Sequence, residues 1–228
     1  MGLDMLPLSK PKVGCEKRFY EIFDLLKKNQ FEKQSFFNKL VKGKKPSKEE
    51  LWAELYLIEI KSYETIRAPK VGRDKEADDW LIIKFNEHDV KPDFTEFSLQ
   101  YNDYYVIELA KELDGVPVYI SIQEDENVFR GQFLLDCEGL IEEDLIYEAW
   151  ETKDAMETLD YGNRLMSVAD EIAEKHGLLY LKTQRLPPDE LDDSIEEDGL
   201  ESQLHIIYSL ARWLIFYGKN GHGYEAYF

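Results

Sequence analysis

The stretch SLARWLIFYGKNGHGYEAYF, residues 209–228, sets His222 between Gly221 and Gly223 behind an apolar run. An imidazole in such a tip can serve as a general base near neutral pH. The six residues from Gly221 to Ala226 also fit the G-x-G-x-x-G/A spacing of a dinucleotide-binding turn. That turn works when a strand leads into the glycines and a helix follows, aiming its first amides at the pyrophosphate. Here a helical pattern precedes the glycines and aromatics follow, so the match is formal. The better reading is a helix end and a turn: Gly218 as a left-handed C-cap, with Lys219 at the negative end of the helix dipole. The glycine tip is expected to be exposed, able to offer amides and Lys219 to an anion. Tyr224, Tyr227 and Phe228 are expected to return to the core.

Other residues with chemistry are scattered. His88, His176 and His205 form no H-x-x-x-H or H-E-x-x-H pair. Glu201 and His205 share a helix face, but two ligands do not make a metal site, and none is expected. His176 ends a helical pattern and is a second candidate base. Cys137 is a candidate nucleophile if a cation or base lowers its thiol. On a helix from 127 to 141, Arg130 would share its face two turns away. Cys137 also falls in an apolar row with Phe129 and Phe133, which favours a packing role. The stretch YETIRAPKVGRDKE places Arg67, Lys70, Arg73 and Lys75 around a helix end, a cluster able to clamp a phosphate or carboxylate. It lacks P-loop order. The acids of 189–201 have no EF-hand register and read as a solvated loop.

The elements that must position these groups follow from periodicity. Phe19, Ile22, Phe23 and Leu26 predict a helix from Glu16. Ser47 and Glu50 form a capping-box signature for a helix running toward Ile66, with Leu51, Leu55 and Ile58 as its inner row. Further helices are expected over 74–87 (through Trp80 and Ile83), over 127–141, as a short and a long helix over 142–176 stopped by Gly177, and over 202–217. Strands are expected at 116–122 and 178–184, 86–103 reads as loop, and 104–115 fits a strand at its start and a helix at its end. The result is a predominantly helical α+β fold with about eight helices and a small sheet of two to four short strands. A single domain over 1–228 is expected. If a boundary exists, it falls near 91–101.

Composition limits function. The chain has 228 residues, 14 Tyr, 12 Phe and 4 Trp, enough aromatic material for a substantial core. Its formal charge is −19, which disfavours nucleic acid and anionic membranes as partners. Residues 1–50 carry 12 Lys+Arg against 7 Asp+Glu, and the remainder 16 against 40. Two halves of one domain that partly neutralise each other are the simplest reading. On the same grounds the lysines of 39–48 read as a solvated loop. Two distant cysteines, Cys15 and Cys137, make no disulfide framework. With no signal-peptide pattern and no long apolar run, a cytoplasmic location is expected.

No catalytic or cofactor signature is present, so no reaction and no cofactor are assigned. The first expectation is a non-catalytic interaction or inhibitor module, of the immunity type, meeting a basic protein through its acidic surface. The alternative is a small-molecule enzyme acting on an anionic, phosphate- or carboxylate-bearing substrate. In it Arg67, Lys70 and Arg73 bind the anion, and His222 or His176 acts as base. A building block of an oligomer is a third possibility.

Overall fold

Helix formation in this chain is governed by caps and by one helix that is apolar on nearly every side. The computed structural model describes residues 2–27, 46–88, 93–111, 127–188 and 199–228. The chain divides into a larger compact unit, Met1–Leu8 with Ser62–Phe228, and a smaller one, Ser9–Lys61. The protein is a predominantly helical α+β structure. Eight α-helices stand among the described residues, with a three-stranded and a two-stranded sheet.

In the smaller unit, β2 (Lys10–Pro11) pairs antiparallel with β3 (Glu59–Ile60). Between them run α1 (Glu16–Lys27) and α2 (Lys48–Ile58). The expected capping box is present: Ser47 Oγ accepts from the Glu50 amide, and Glu50 accepts from the Ser47 amide. Phe19, Ile22, Leu51 and Leu55 make a small core. Arg18 clasps the Glu54 carboxylate with two bonds of 2.6 Å. The α2 helix stops at Ile58 and does not continue to Ile66. The chain extends there, and the Ile58 carbonyl accepts from the Lys12 amide at 2.8 Å as β3 pairs with β2.

In the larger unit, β1 (Asp4–Pro7) lies between β4 (Phe129–Arg130) and β5 (Tyr224–Tyr227), antiparallel to both. Asp4 stands opposite Arg130 on one side and Tyr227 on the other. Leu3 and Met5 point inward and are fully buried. They meet α7 (Ala155–His176) and α8 (Leu200–Lys219) in the main core. Asp154 caps α7 through the Met156 and Glu157 amides, and Gly177 closes it at φ 74°. The inner row of α7 is Tyr161, Leu165, Ala169 and Ala173. The two helices approach closely through glycines: a Cβ on Gly162 would lie 2.8 Å from Leu214 Cβ, and one on Gly218 would lie 2.7 Å from the Leu159 nitrogen. Short helices α3 (Ser62–Thr65) and α6 (Glu143–Tyr147) flank this core. A second cluster joins α4 (Lys75–Glu87) and α5 (Phe94–Gln100) through Val71, Ala77, Leu81, Phe97 and Val106.

Several local expectations are corrected. Residues 94–100 are helical, not loop, because Asp93 caps the Thr95 and Glu96 amides and Phe97 is buried. The 127–141 stretch is not one α-helix. Phe129 and Arg130 join the sheet, and Gly131–Cys137 form a 3₁₀ segment that leaves Phe133 exposed. Leu3 and Met5 press so closely on Gly131 that a Cβ there would meet them at 2.7 and 2.9 Å. Leu179–Thr183 is a 3₁₀ turn, not a strand, with Leu181 alone of the five buried. On α4, Ala77 and Leu81 face inward while Ile83 is exposed. The expected strand at 116–122, the lysines of 39–45 and the acids of 189–198 lie outside the described residues.

The close approach of α7 and α8 makes a stability prediction. Gly218→Ala forces a methyl into backbone atoms of Leu159, which no rotamer change relieves. Urea unfolding is expected to show a loss of about 1–3 kcal/mol, the usual cost of overpacking.

Candidate functional site

His222 is where sequence and structure part most clearly. Its tip is folded inward: His222 is fully buried and Gly223 is buried beside it. Gly218 is still helical, and α8 runs on to Lys219. The left-handed residue is Gly221, φ 85°, which turns the chain so that the His222 amide reaches the Tyr217 carbonyl at 2.9 Å. Nδ1 lies 2.7 Å from the Leu8 carbonyl oxygen. A carbonyl only accepts, so Nδ1 carries the proton and donates. In the neutral ring Nε2 then accepts from the Thr65 hydroxyl at 2.7 Å. The imidazole thus ties β1, α3 and the C-terminal turn together, with its edge against the Tyr217 ring. Tyr224 returns to the core as expected, whereas Tyr227 and Phe228 stay exposed.

The other candidates are dispersed. Cys137 is fully buried, its thiol 3.5 Å from the Gln203 carbonyl oxygen. Burial, aided by Asp136, pushes that thiol up to about 12. Arg130 shares no helix face with Cys137, since it lies in β4 and faces Asp4 at 3.8 Å. His176 is exposed in the last turn of α7, and Lys219 is exposed in the last turn of α8.

Arg67, Lys70 and Arg73 do gather, around the turn from α3 into α4. Lys70 turns to Asp103 at 2.7 Å, and Arg73 to Asp74 at 2.9 Å. Both cations also lie over the Tyr105 ring, at 5.2 and 5.8 Å. The Asp74 carboxyl is held below its ordinary range by Arg73 and then by the Lys70 amide. Beside this turn opens a cavity of about 570 Å³, lined by Glu64, Arg67, Ala68, Pro69, Arg73, Asp74, Lys75 and Glu76. Lys70, Arg130, Lys219, the histidines and Cys137 are not in its walls. Glu64 and Glu76 belong to the same stretch of sequence as the cations but carry no signal there, because acids interleaved with bases read as an ordinary solvated segment.

A second constellation had no sequence signal. Glu148 receives Lys153 at 2.9 Å and Arg164 at 2.5 Å, and both cations lie 5.6 Å from the Tyr161 ring centroid. Burial raises the Glu148 carboxyl, but the bonds from Arg164 and Lys153 outweigh it and hold it below its ordinary 4.5. The chain on either side of Glu148 carries exposed Glu142, Glu143, Asp144, Glu151, Asp154, Glu157 and Asp160. Among them Tyr147 is 53% exposed and Met156 80%. Among the described residues, no three or more His, Cys, Asp or Glu side chains are grouped to hold a metal ion, and no helix is long and apolar enough to cross a membrane. No family model matches the chain, and neither a curated protein nor a solved structure matches it.

Two outcomes are expected. In native protein at pH 8, a thiol reagent should modify partly exposed Cys15 readily and leave Cys137 untouched until denaturant is added. For Glu148, a depressed folded-state value means that its stabilisation is present above the unfolded value and is lost as pH falls through the folded one. Glu148→Gln should therefore destabilise the protein at neutral pH and flatten the decline of stability below about pH 4.5, read by urea melts across pH.

Proposed function

We propose that the protein acts by contact and not by bond-making: it is a non-catalytic module that docks a cationic protein through its larger unit, as an inhibitor or immunity protein does. The observation that carries this reading is charge. The larger unit holds 39 Asp+Glu against 15 Lys+Arg, a net −24, while the smaller holds 8 against 13. Many of the cations in the larger unit are already committed to local pairs: Lys70, Arg73, Lys84, Arg130, Lys153, Arg164 and Lys182. The surplus carboxylates set the outward field and steer a basic partner. Tyr147 and Met156 are exposed within a stretch of sequence rich in exposed acids, a composition that suits docking by large apolar anchors among charged residues. Its place of action is the cytoplasm, where Cys15 and Cys137, both free, stay reduced.

The enzyme reading, on an anionic substrate, has the cavity at Arg67 and Arg73 in its favour. That cavity has no imidazole or thiol in its walls, which leaves His222 and His176 without an evident route to a substrate there.

The docking reading is tested by the association kinetics of a captured cationic partner. Raising salt from about 0.05 M to about 0.5 M should slow association by tenfold or more. Glu142→Lys with Glu143→Lys should slow association at low salt, and Tyr147→Ala should speed dissociation. A partner held equally well in about 1 M salt removes the electrostatic basis of the proposal.

A further inference from the structure

The cavity between α3 and the start of α4 has balanced walls in an unbalanced unit. Arg67, Arg73 and Lys75 line it with Glu64, Asp74 and Glu76, and Ala68 and Pro69 supply an apolar side. Arg73 and Asp74 neutralise each other at 2.9 Å, and Asp74 is further engaged by the Lys70 amide at 2.8 Å. That leaves Arg67 and Lys75 on the positive side and Glu64 and Glu76 on the negative. Among the described residues, no hydrogen bond or ion pair joins the side chains of these four to another residue. Among the described residues, two cations without a carboxylate partner thus line the same cavity as two carboxylates without a cationic one.

We propose that this cavity binds a small ammonium–carboxylate zwitterion, a free amino acid or a short peptide with both termini charged. A simple anion entering it meets Glu64 and Glu76 as well as Arg67 and Lys75, and a simple cation meets the reverse. A ligand carrying both charges is attracted at both ends and repelled at neither. Its carboxylate pairs with the Arg67 guanidinium, whose planar fork suits a carboxylate, and its ammonium with Glu64 and Glu76. A volume of about 570 Å³ lies within the range of organic-ligand pockets, and Ala68 and Pro69 suit an apolar side chain. Because the four charges are exposed, affinity is modest, in the millimolar range. The site asks for binding alone and is independent of the docking surface around Tyr147.

The test is an NMR titration of the full chain, following the amides of residues 64–76. The probes are L-leucine and leucyl-leucine, with N-acetyl-leucine as the anion-only control, leucinamide as the cation-only control, and inorganic phosphate. Saturable shifts are expected with L-leucine, leucyl-leucine or both, and which of them binds more tightly distinguishes free amino acid from peptide. The single-charge controls should bind at least about tenfold more weakly. Arg67→Gln and Glu64→Gln should each weaken the zwitterion by about tenfold. Arg67 sits at φ 56°, so Arg67→Gly fits its backbone and should weaken binding at least as much as Arg67→Gln without lowering the melting temperature. N-acetyl-leucine or phosphate binding as tightly as L-leucine would make this a plain anion hole and overturn the proposal. So would the absence of any shift at 64–76 with every probe.

Discussion

The larger unit depends on how closely α7 and α8 approach. Helix α8 buries residues on nearly all sides, from Leu204 through Gly218. A helix of that kind cannot stay in water and needs cover all round. Gly162 and Gly218 bring the α7 and α8 backbones together, and the aromatic rings of Trp213, Tyr217 and Tyr224 fill the space beyond. The three-stranded sheet and the 3₁₀ segment at Gly131–Cys137 cover further parts of the same surface. Without that close approach, Leu3, Met5 and Phe129 would have little to pack against.

His222 belongs to this scheme. With α8 fixed against α7, Gly221 turns the chain back and β5 adds to β1. The turn leaves buried backbone groups that need partners, and a single imidazole takes the Leu8 carbonyl while meeting Thr65 on its other nitrogen. A glycine-flanked histidine looks like a loop tip built for a ligand, yet here it closes three chain segments over the core. Glu148 does similar work at the α6 corner, gathering Lys153 and Arg164 over Tyr161.

Charge is distributed by unit. The smaller unit carries +5 and the larger −24, so the contrast in charge along the sequence coincides with the division of the chain into units. Within the larger unit, the cationic residues from Arg67 to Lys75 do not form a positive patch. They are interleaved with Glu64, Asp74 and Glu76, and a cavity with walls of both signs results.

Local sequence alone determined the elements whose causes lie within a few residues. The capping box at Ser47 and Glu50, the long helix closed by Gly177 and the final apolar helix were all legible, because caps and periodicity act over one or two turns. Cys137 is buried although the helical row its spacing suggests does not form: Phe129 lies in β4, Phe133 is exposed, and the 3₁₀ segment turns the thiol inward. Tertiary structure decided the rest. Phe129 reads as helical by spacing but is taken into a ladder with Met5, more than a hundred positions earlier in the chain. His222 reads as exposed by its glycines but is drawn inward by a carbonyl at Leu8. Leu179–Thr183 reads as a strand by its apolar content but coils on α7 and α8. For Phe129 and His222 a partner distant in sequence outweighed local propensity, and spacing along one chain carries no information about that partner.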